Sequence, residues 1–360
     1  MTEAVLLVGG RGTRLRPLTV HTPKPLLPTA GVPFLQHLLA RAGAAGITHV
    51  VLATSYRAEV FREVLGDGSA LGLALDYLTE PEPLGTGGGI RNVAGLLDSA
   101  PEDPVVILNG DVLSGHDLAR QLAEHDASGA EVTLHLTEVD DPRAFGCVPV
   151  DGTGRVTAFL EKTPDPVTNL INAGCYVFRR SVIDAIPAGR PVSVERETFP
   201  GLLASGALVR GYVERAYWLD LGTPAAFVRG SADLVRGVVA SPALPGQPGE
   251  ALLLPGAAVA GDAEVGGGTT VGRDVRVGPG ARVSGSVLQD GAVVEPGAVV
   301  VDSVVGRSAV VGAGAVLTEV VVGDGAVVGA RNELAPGARV WCDAVLPAGA
   351  LRFSSDEVPA

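Results

Sequence analysis

The first residues that could do chemistry form a glycine-rich turn after a short apolar run, in "LLVGGRGTRLRPLTVHTPKPLLP" at residues 6–28. Glycines let backbone N–H groups approach phosphate oxygens, because no side chain blocks them. Arg14 follows the turn directly, and Lys24 comes after a return that prolines hold extended. These residue types and their spacing predict a site for the phosphates of a nucleoside triphosphate.

Two common phosphate-binding motifs do not fit this turn. A dinucleotide fingerprint needs G-x-G-x-x-G and an acidic residue about 20 positions later. Here Leu15 occupies the place of the third glycine, and the first carboxylate after the turn is Glu59. A Walker loop closes on Gly-Lys-Ser/Thr, whereas Gly12 is followed by Thr13 and Arg14. Hydride transfer and P-loop hydrolysis are therefore disfavoured.

Charge is distributed unevenly along the chain. The formal net charge of -13 argues against nucleic acid as a partner, because phosphate backbones need a basic surface. Residues 4–58 contain no Asp or Glu but six cationic residues, which are Arg11, Arg14, Arg16, Lys24, Arg41 and Arg57. A compact polyanion bound by this segment explains the asymmetry.

Lysine is rare, since only Lys24 and Lys162 interrupt an otherwise arginine-based set of cations. A lysine ammonium is a compact, strongly hydrated point charge, and the planar guanidinium of arginine does not replace it at low cost. Both lysines are therefore predicted to be functional.

The remaining composition sets broad limits. The three cysteines, Cys147, Cys175 and Cys342, are far apart, so neither a disulfide framework nor a zinc site is indicated. No apolar run approaches the roughly 20 residues that a membrane-spanning helix needs. We expect a soluble, cytoplasmic protein without a membrane partner.

The elements that must position these residues alternate between apolar runs and helical spacing through residues 1–240. This pattern predicts an α/β domain with a Rossmann-like, mostly parallel sheet and helices on both faces. Ligands of such sheets bind beyond the carboxyl ends of the strands. Residues 9–24 and 109–111 occupy that position in the sequence.

A Pro/Gly-rich linker is predicted at 238–250, and the period then becomes six. Aliphatic residues recur in three phased runs, at Val259, Val265, Val271, Val277 and Val283, at Val293, Val299 and Val305, and at Val310, Val316, Val322, Val328, Leu334, Val340 and Leu346. This period predicts a hexapeptide-repeat parallel β-helix over 251–350, with one aliphatic residue per short face pointing inward.

The first turn and several later motifs resemble the sugar-nucleotide pyrophosphorylase family. The matching segments occur in the order of that family and are "GGRGTRLRPLT", "PKPLLP", "EPEPLGTGGGI", "LNGDVL", "AFGCV", "FLEKT", "INAGCYVF", "VSVERETFP" and "YWLDLGTPAAF". The tail is similar to that of members carrying a left-handed β-helix. Within the family, the resemblance is greatest to enzymes that transfer a guanylyl group to mannose 1-phosphate.

The resemblance implies a nucleotidyltransferase that joins a nucleoside triphosphate, preferably GTP, to a sugar 1-phosphate, preferably mannose 1-phosphate. Thymidylyl, adenylyl or uridylyl transfer to glucose 1-phosphate, or guanylyl transfer to a cyclitol phosphate, would use the same cations. A regulatory subunit that binds sugar nucleotide without turnover is the non-enzymatic alternative.

The resemblance also implies roles for individual residues. Arg14, Lys24 and Lys162 are the expected catalytic cations, and Mg²⁺ is expected on Asp111 and Asp220. Nucleotide binding is expected from Leu7, Gly9, Gly10, Gly12, Thr13, Arg14, Lys24, Glu80, Gly85, Thr86, Asn109 and Asp111. Sugar-phosphate binding is expected from Gly146, Glu161, Lys162 and Asn172.

The repeat region is predicted to assemble subunits rather than to catalyse a second reaction. Hexapeptide acyltransferases usually employ a histidine as general base, and all six histidines precede residue 136. The expected assembly is a homo-oligomer, a dimer or tetramer, formed through the β-helix.

Overall fold

The computed structural model describes residues 2–10, 12–54, 58–80 and 82–352. Arg11 and Arg57, two members of the cationic segment, lie outside the described residues. The described chain divides into two compact units. Unit 1 comprises residues 2–10 and 38–218, and unit 2 comprises residues 12–37 and 219–352. The predicted linker at 238–250 stays a prediction about the domain boundary.

Seven α-helices form in the described residues. In chain order they are α1 (Phe34–Ala44), α2 (Ala58–Leu65), α3 (Gly85–Val93), α4 (Leu118–Ser128), α5 (Arg180–Ala185), α6 (Phe199–Ala204) and α7 (Pro224–Arg236). Short 3₁₀ helices span Thr13–Leu15, Lys24–Leu26, Ser69–Leu71, Ala94–Leu96 and Pro142–Ala144, and a π-helix spans Val194–Thr198. Among the described helices, none is long and apolar enough to cross a membrane.

Thirteen strands precede the repeat region. They are β1 (Thr2–Leu7), β2 (Pro28–Thr29), β3 (Val32–Pro33), β4 (Ile47–Thr54), β5 (Ala74–Thr79), β6 (Pro104–Asn109), β7 (Val112–Ser114), β8 (Val132–Glu138), β9 (Gly146–Cys147), β10 (Leu160–Glu161), β11 (Leu170–Arg179), β12 (Val209–Val213) and β13 (Trp218–Asp220).

Unit 1 is built on a nine-stranded mixed sheet with the order β10-β9-β11-β6-β1-β4-β5. In addition, β8 pairs with β11, and β12 pairs with β8. The four strands β6, β1, β4 and β5 are parallel, as the continuous apolar runs predict. Ala4, Val5 and Leu6 of the first run are completely buried. The predicted Rossmann-like α/β class is confirmed, and β11 makes the sheet mixed because it runs antiparallel to β6, β8 and β9.

Unit 2 contains the predicted parallel β-helix. Its strands are β14 (Ala251–Leu253), β15 (Ala258–Val259), β16 (Glu264–Gly266), β17 (Thr269–Val271), β18 (Arg276–Val277), β19 (Arg282–Ser284), β20 (Val287–Leu288), β21 (Val293–Val294), β22 (Val299–Val301), β23 (Val304–Val305), β24 (Val310–Val311), β25 (Val316–Thr318), β26 (Val321–Val322), β27 (Val327–Val328), β28 (Glu333–Leu334), β29 (Arg339–Val340) and β30 (Val345–Leu346). They stack as three parallel sheets of six, six and five strands, an arrangement consistent with a left-handed β-helix.

The phase of the inward residues differs from the prediction at four positions. Val294, Val300, Val311 and Leu317 are buried in the core of the β-helix, and not their predicted neighbours Val293, Val299, Val310 and Val316. At each of these positions the sequence offers two adjacent aliphatic residues, so both phases satisfy a period of six. Stacking on the preceding rung decides which of the two points inward.

One outer face of the β-helix is covered by other parts of unit 2. Val287, Val304 and Val321 stand in register on three successive strands of one sheet. They form a buried cluster with Leu15, Leu18, Leu27, Phe227 and Val228, which come from the segment after the glycine turn and from α7. The segment that carries Arg14 and Lys24 is therefore anchored on the repeat region.

Candidate active site

In unit 1, the carboxyl ends of β1 and β6 bring three predicted residues together. Leu7 and Asn109 are register partners at the ends of the two strands. The N–H of Gly110 donates a 2.9 Å hydrogen bond to the carbonyl oxygen of Leu7. A Cβ at Gly110 would stand 2.7 Å from that same oxygen, so only glycine allows the approach. The half-buried carboxylate of Asp111 follows immediately.

The glycine turn begins at the same edge, with Gly9 and Gly10 exposed after β1. Gly10 has a φ of +115°, a conformation that residues with a Cβ rarely adopt. Nothing lies within 4 Å of where its Cβ would be. The backbone here is accessible to a ligand, as the sequence predicts for a phosphate-binding turn.

Glu80 and the glycines of α3 form a tightly packed corner of unit 1. Glu80 is buried, and one of its carboxylate oxygens accepts a 3.1 Å hydrogen bond from the N–H of Leu84, at the start of the helix. Burial raises the pKa of this carboxyl. A Cβ at Gly85 would stand 2.7 Å from the carbonyl oxygen of Val192, and one at Gly89 2.6 Å from Glu80 Oε1. These glycines therefore serve close packing within the protein.

Thr86, predicted to contact nucleotide, has a hydroxyl engaged with the segment before α6. Its Oγ1 donates to Glu195 Oε2 at 2.8 Å and accepts from the N–H of Val194 at 3.0 Å. Thr86 thus joins α3 to the π-helix. Its contact with a nucleotide stays a prediction.

Gly146, Glu161 and Lys162 lie together in unit 1, where β9 pairs with β10. Glu161 is the register partner of Gly146, and a Cβ at Gly146 would stand 3.0 Å from Glu161 Oε2. The ammonium of Lys162 lies 3.7 Å from Glu161 Oε1 and its side chain is 62% exposed. The N–H of Lys162 donates to the carbonyl oxygen of Phe145 at 3.0 Å, while its φ is +50°. The strand pair thus places the carboxylate of Glu161 beside the exposed ammonium of Lys162.

Asn172 is tied into the sheet next to these residues. Its Nδ2 donates a 2.8 Å hydrogen bond to the hydroxyl of Tyr176, and its Oδ1 accepts from the N–H of Gly174 at 3.1 Å. The side chain of Asn109 is also hydrogen-bonded to Tyr176. One buried tyrosine therefore connects the predicted sugar-binding asparagine with the predicted nucleotide-binding one.

In unit 2, Arg14, Lys24 and Asp220 converge around Gly222. The Lys24 ammonium lies 3.9 Å from Asp220 Oδ1, and the lysine side chain is only 12% exposed. A Cβ at Gly222 would stand 3.0 Å from Asp220 Oδ1 and 3.2 Å from the Arg14 guanidinium. Two cations and a carboxylate that is about 200 residues away in sequence thus form one cluster, and their roles stay predictions.

The backbone on both sides of Arg14 is fixed by packing within unit 2. Thr13 opens a 3₁₀ helix whose last residue, Leu15, is 1% exposed, whereas Thr13 and Arg14 are exposed. Gly12 adopts a φ of +56°, and its carbonyl accepts a 2.8 Å hydrogen bond from the Thr19 hydroxyl. A Cβ at Gly12 would stand 2.9 Å from Lys24 Cβ, so the turn and the lysine are in direct contact.

Comparison with known proteins identifies the family of this chain. A family model described as nucleotidyl transferase matches residues 3–237, and a model described as the GMPPB C-terminal domain matches residues 248–357. The chain belongs to the nucleotidyl transferase family. Members of this family generally use a divalent metal ion.

Several relatives of this nucleotidyl transferase are known by activity. A mannose-1-phosphate guanylyltransferase of Mycobacterium tuberculosis is 59% identical over 355 residues, which cover 98% of either chain. A second relative is the mannose-1-phosphate guanylyltransferase catalytic subunit beta of Drosophila pseudoobscura pseudoobscura. It is 40% identical over 230 residues, which cover 64% of this chain and 61% of the relative.

Solved structures share the fold of the first part of this nucleotidyl transferase. HddC of Yersinia pseudotuberculosis is 27% identical, with a TM-score of 0.55 over 64% of this chain and 98% of HddC. A further HddC structure is complexed with GMP-PN. A putative glucose-1-phosphate thymidylyltransferase of Bacillus anthracis, 22% identical with a TM-score of 0.59, shows the same fold over 64% of this chain and 94% of its own.

One residue of this site has no role in the sequence analysis. Glu195 belongs to the π-helix and contacts Thr86, although its sequence segment contributes only to the family resemblance. Periodicity does not single it out, because three charged residues follow one another in "VERET". Its proximity to Glu161, the predicted sugar-binding carboxylate, depends on tertiary packing.

Proposed function

We propose that this chain is a mannose-1-phosphate guanylyltransferase, which converts GTP and mannose 1-phosphate to GDP-mannose and pyrophosphate. The observation that carries the proposal is the relative of that name, 59% identical over 98% of both chains. The predicted charged residues also fall into compact groups in each unit, which supports a working site over a chance resemblance.

In this reaction a phosphate oxygen of the sugar 1-phosphate attacks the α-phosphorus of GTP. A new P–O bond forms, the bond between the α-phosphorus and the bridging oxygen breaks, and pyrophosphate leaves. Both reactants are polyanions, so the protein must neutralise charge and align the groups in line. The three predicted catalytic cations are suited to this task.

We assign the three cations to different phosphates. Arg14 is exposed while its backbone is anchored by Leu15, so its guanidinium can stabilise charge on the α-phosphate and the departing pyrophosphate. Lys24 is mostly buried beside Asp220 and suits a fixed contact with nucleotide phosphates. Lys162 is exposed and reaches past Glu161, which suits the phosphate of the incoming sugar.

Asp111 in unit 1 and Asp220 in unit 2 each offer a carboxylate that is suited to Mg²⁺. In the parts of the chain that the structure describes, no three His, Cys, Asp or Glu side chains are grouped as a protein-made metal cage. Mg²⁺ is usually held by one or two carboxylates with phosphates and water, and two hard carboxylates fit that ligand set. When bound, the ion would neutralise phosphate charge. The Lys24 ammonium lies 3.9 Å from Asp220 Oδ1, so a cation already stands beside this carboxylate.

Substrate identity is tested by a matrix of nucleoside triphosphates against sugar 1-phosphates, scored by Mg²⁺-dependent release of pyrophosphate. GTP with mannose 1-phosphate should give the highest kcat/KM. A higher value for thymidylyl, adenylyl or uridylyl transfer to glucose 1-phosphate, or for a cyclitol phosphate, would replace this assignment. No pyrophosphate from any pair would favour a non-catalytic sensing subunit. Homo-oligomer formation through the β-helix and a cytoplasmic location remain proposals.

A further inference from the structure

Glu195 is held firmly on the π-helix of unit 1. Its Oε2 accepts two hydrogen bonds, from the Thr86 hydroxyl at 2.8 Å and from the Ser193 hydroxyl at 2.6 Å. Ser193 also caps the helix, because its Oγ accepts from the N–H of Arg196. Since two fixed hydroxyls bind the same oxygen, the orientation of the half-buried carboxylate is set before any ligand arrives.

Aromatic packing sets this helix against the elements that carry the predicted sugar-binding residues. Phe199 follows the π-helix directly, and its ring centroid lies 5.0 Å from that of Phe159 and 5.3 Å from that of Tyr176. Phe159 precedes Glu161 by two residues, and Tyr176 holds the amide of Asn172. The helix, β10 and β11 thus meet at one buried cluster.

Electrostatics within unit 1 agree with this placement. Burial raises the pKa of Glu161, and the negative charge of Glu195 raises it further, while Lys162 and Arg196 oppose the shift. The pKa of Tyr176 is also raised, first by burial and then by the charge of Glu195. Two neighbouring carboxylates repel each other, and this repulsion costs free energy unless hydrogen-bond donors stabilise their negative charges.

We propose that Glu195 is a specificity-determining residue whose carboxylate accepts a hydrogen bond from a hydroxyl of the sugar ring, next to the carboxylate of Glu161. Ionised carboxylates only accept hydrogen bonds, so two of them converging on one place select a ligand with several hydroxyl donors, such as a hexose. This inference rests on the proposed function and adds a second carboxylate to its sugar-binding residues.

The test combines Glu195→Gln with a set of substrates lacking one hydroxyl each. Pyrophosphate release is measured with GTP and mannose 1-phosphate or its 2-, 3-, 4- and 6-deoxy analogues. The matched control is Glu197→Gln, on the same helix, where the carboxylate pairs with Arg190 at 2.9 Å. For mannose 1-phosphate, Glu195→Gln should lower kcat/KM about 10-fold or more, while the KM for GTP and the activity of the control stay within about twofold of wild type.

The analogues separate contact from mere positioning. In the wild type, one deoxy analogue should lose about 10- to 100-fold in kcat/KM for the missing hydrogen bond. In Glu195→Gln, that same analogue should lose no more than a few fold relative to intact substrate. If Glu195→Gln lowered kcat/KM equally for intact and deoxy substrates, Glu195 would have a structural role only and the inference would be overturned. The inference would also be overturned if the kcat/KM values of Glu195→Gln matched those of Glu197→Gln. If the wild type itself released no pyrophosphate, the proposed function would fail instead.

Discussion

The two lysines, rare in this chain, lie in contrasting surroundings. Lys24 is 12% exposed beside Asp220 in unit 2, whereas Lys162 is 62% exposed beside Glu161 in unit 1. Sequence composition singles out both residues but does not distinguish a buried cation from an exposed one. That difference comes from packing, since Gly12 lies against the base of Lys24, whereas Lys162 follows the end of β10.

The role of Lys162 is tested by two substitutions. Lys162→Ala should lower kcat about 10² to 10³-fold, the range for losing one donor to a developing charge. Lys162→Arg should also reduce turnover, because a planar fork does not occupy the place of a compact ammonium 3.7 Å from Glu161. Initial rates of pyrophosphate release at saturating GTP and mannose 1-phosphate measure both effects.

Arg120→Ala provides the matched control, because this exposed cation pairs only with Glu124 one turn along α4 among the contacts described. It should keep wild-type activity, and all variants should unfold at the wild-type temperature. Full activity of Lys162→Arg would contradict the requirement for an ammonium.

The glycine run of α3 shows where residue-level reasoning stops. "GTGGG" predicts that another group approaches the backbone closely, and the nucleotide is the expected neighbour. The structure places the segment around Val192 there. The backbone carbonyl oxygen of Val192 accepts a 2.8 Å hydrogen bond from the N–H of Gly87. Sequence alone does not reveal whether the close neighbour of a glycine is a ligand or another part of the chain.

At the scale of elements, three histidines join α4 to the adjoining strands. His116 and His135 stack with ring centroids 3.9 Å apart, and His125 on α4 hydrogen-bonds the hydroxyl of Thr133 at 2.9 Å. Burial is the main cause that lowers the pKa of His116 to about 3, of His125 to about 4 and of His135 to about 2. All three are neutral in the folded state near neutral pH.

These histidines should make the protein acid-labile. Because their folded pKa values lie below the unfolded value of about 6.5, the unfolded chain binds more protons below that pH. The stability that neutral burial contributes is therefore complete above about pH 6.5 and falls as pH decreases toward 4. His49 opposes the trend, since Glu3 and Asp76 outweigh its burial and raise its pKa. Denaturant unfolding at pH 7 and pH 5.5 should show a net loss, about 1 kcal/mol from each lowered histidine.

One substitution assigns part of this pH dependence. His125→Gln removes one titrating ring, so the difference between the two pH values should shrink by about 1 kcal/mol. A stability that stays constant from pH 7 to pH 5.5 would contradict the proposed origin.

At the scale of the whole molecule, the repeat region supports the segment that carries two predicted catalytic cations. Within unit 2, the valine ladder at Val287, Val304 and Val321 packs against Leu15, Leu18 and Leu27. The Arg307 guanidinium donates to the Thr22 hydroxyl at 3.2 Å, and that of Arg339 to the Arg16 carbonyl at 2.7 Å. The β-helix thus packs against the segment around Arg14 and Lys24 and stabilises it.

Val304→Asp should disrupt the packing of the valine ladder against this segment. The carboxylate would be buried without a partner, at a cost of about 3 kcal/mol or more, and the displaced segment should lower activity along with the unfolding temperature. Val345→Asp, on another sheet at a position 70% exposed, is the matched control and should change neither quantity. Thermal unfolding and pyrophosphate release measure the two effects. Equal behaviour of the variants would show that the ladder is dispensable.

The sequence by itself determined the class of the first part, the repeat architecture of the second and the motifs that identify the family. These features depend on local periodicity and on residue types at short spacing, such as the six-residue aliphatic repeat and the glycine turn before Arg14. The predicted functional residues are compatible with this arrangement, while their individual roles remain predictions.

Tertiary structure alone decided which aliphatic residue of each pair points inward, that the cationic segment after Gly12 packs on the β-helix, and that Glu195 lies near Glu161. Each of these depends on contacts between residues far apart in sequence. Adjacent aliphatic residues satisfy the same periodicity, and a carboxylate has the same local signature on any exposed helix. Only the packing of complete elements against one another distinguishes these alternatives.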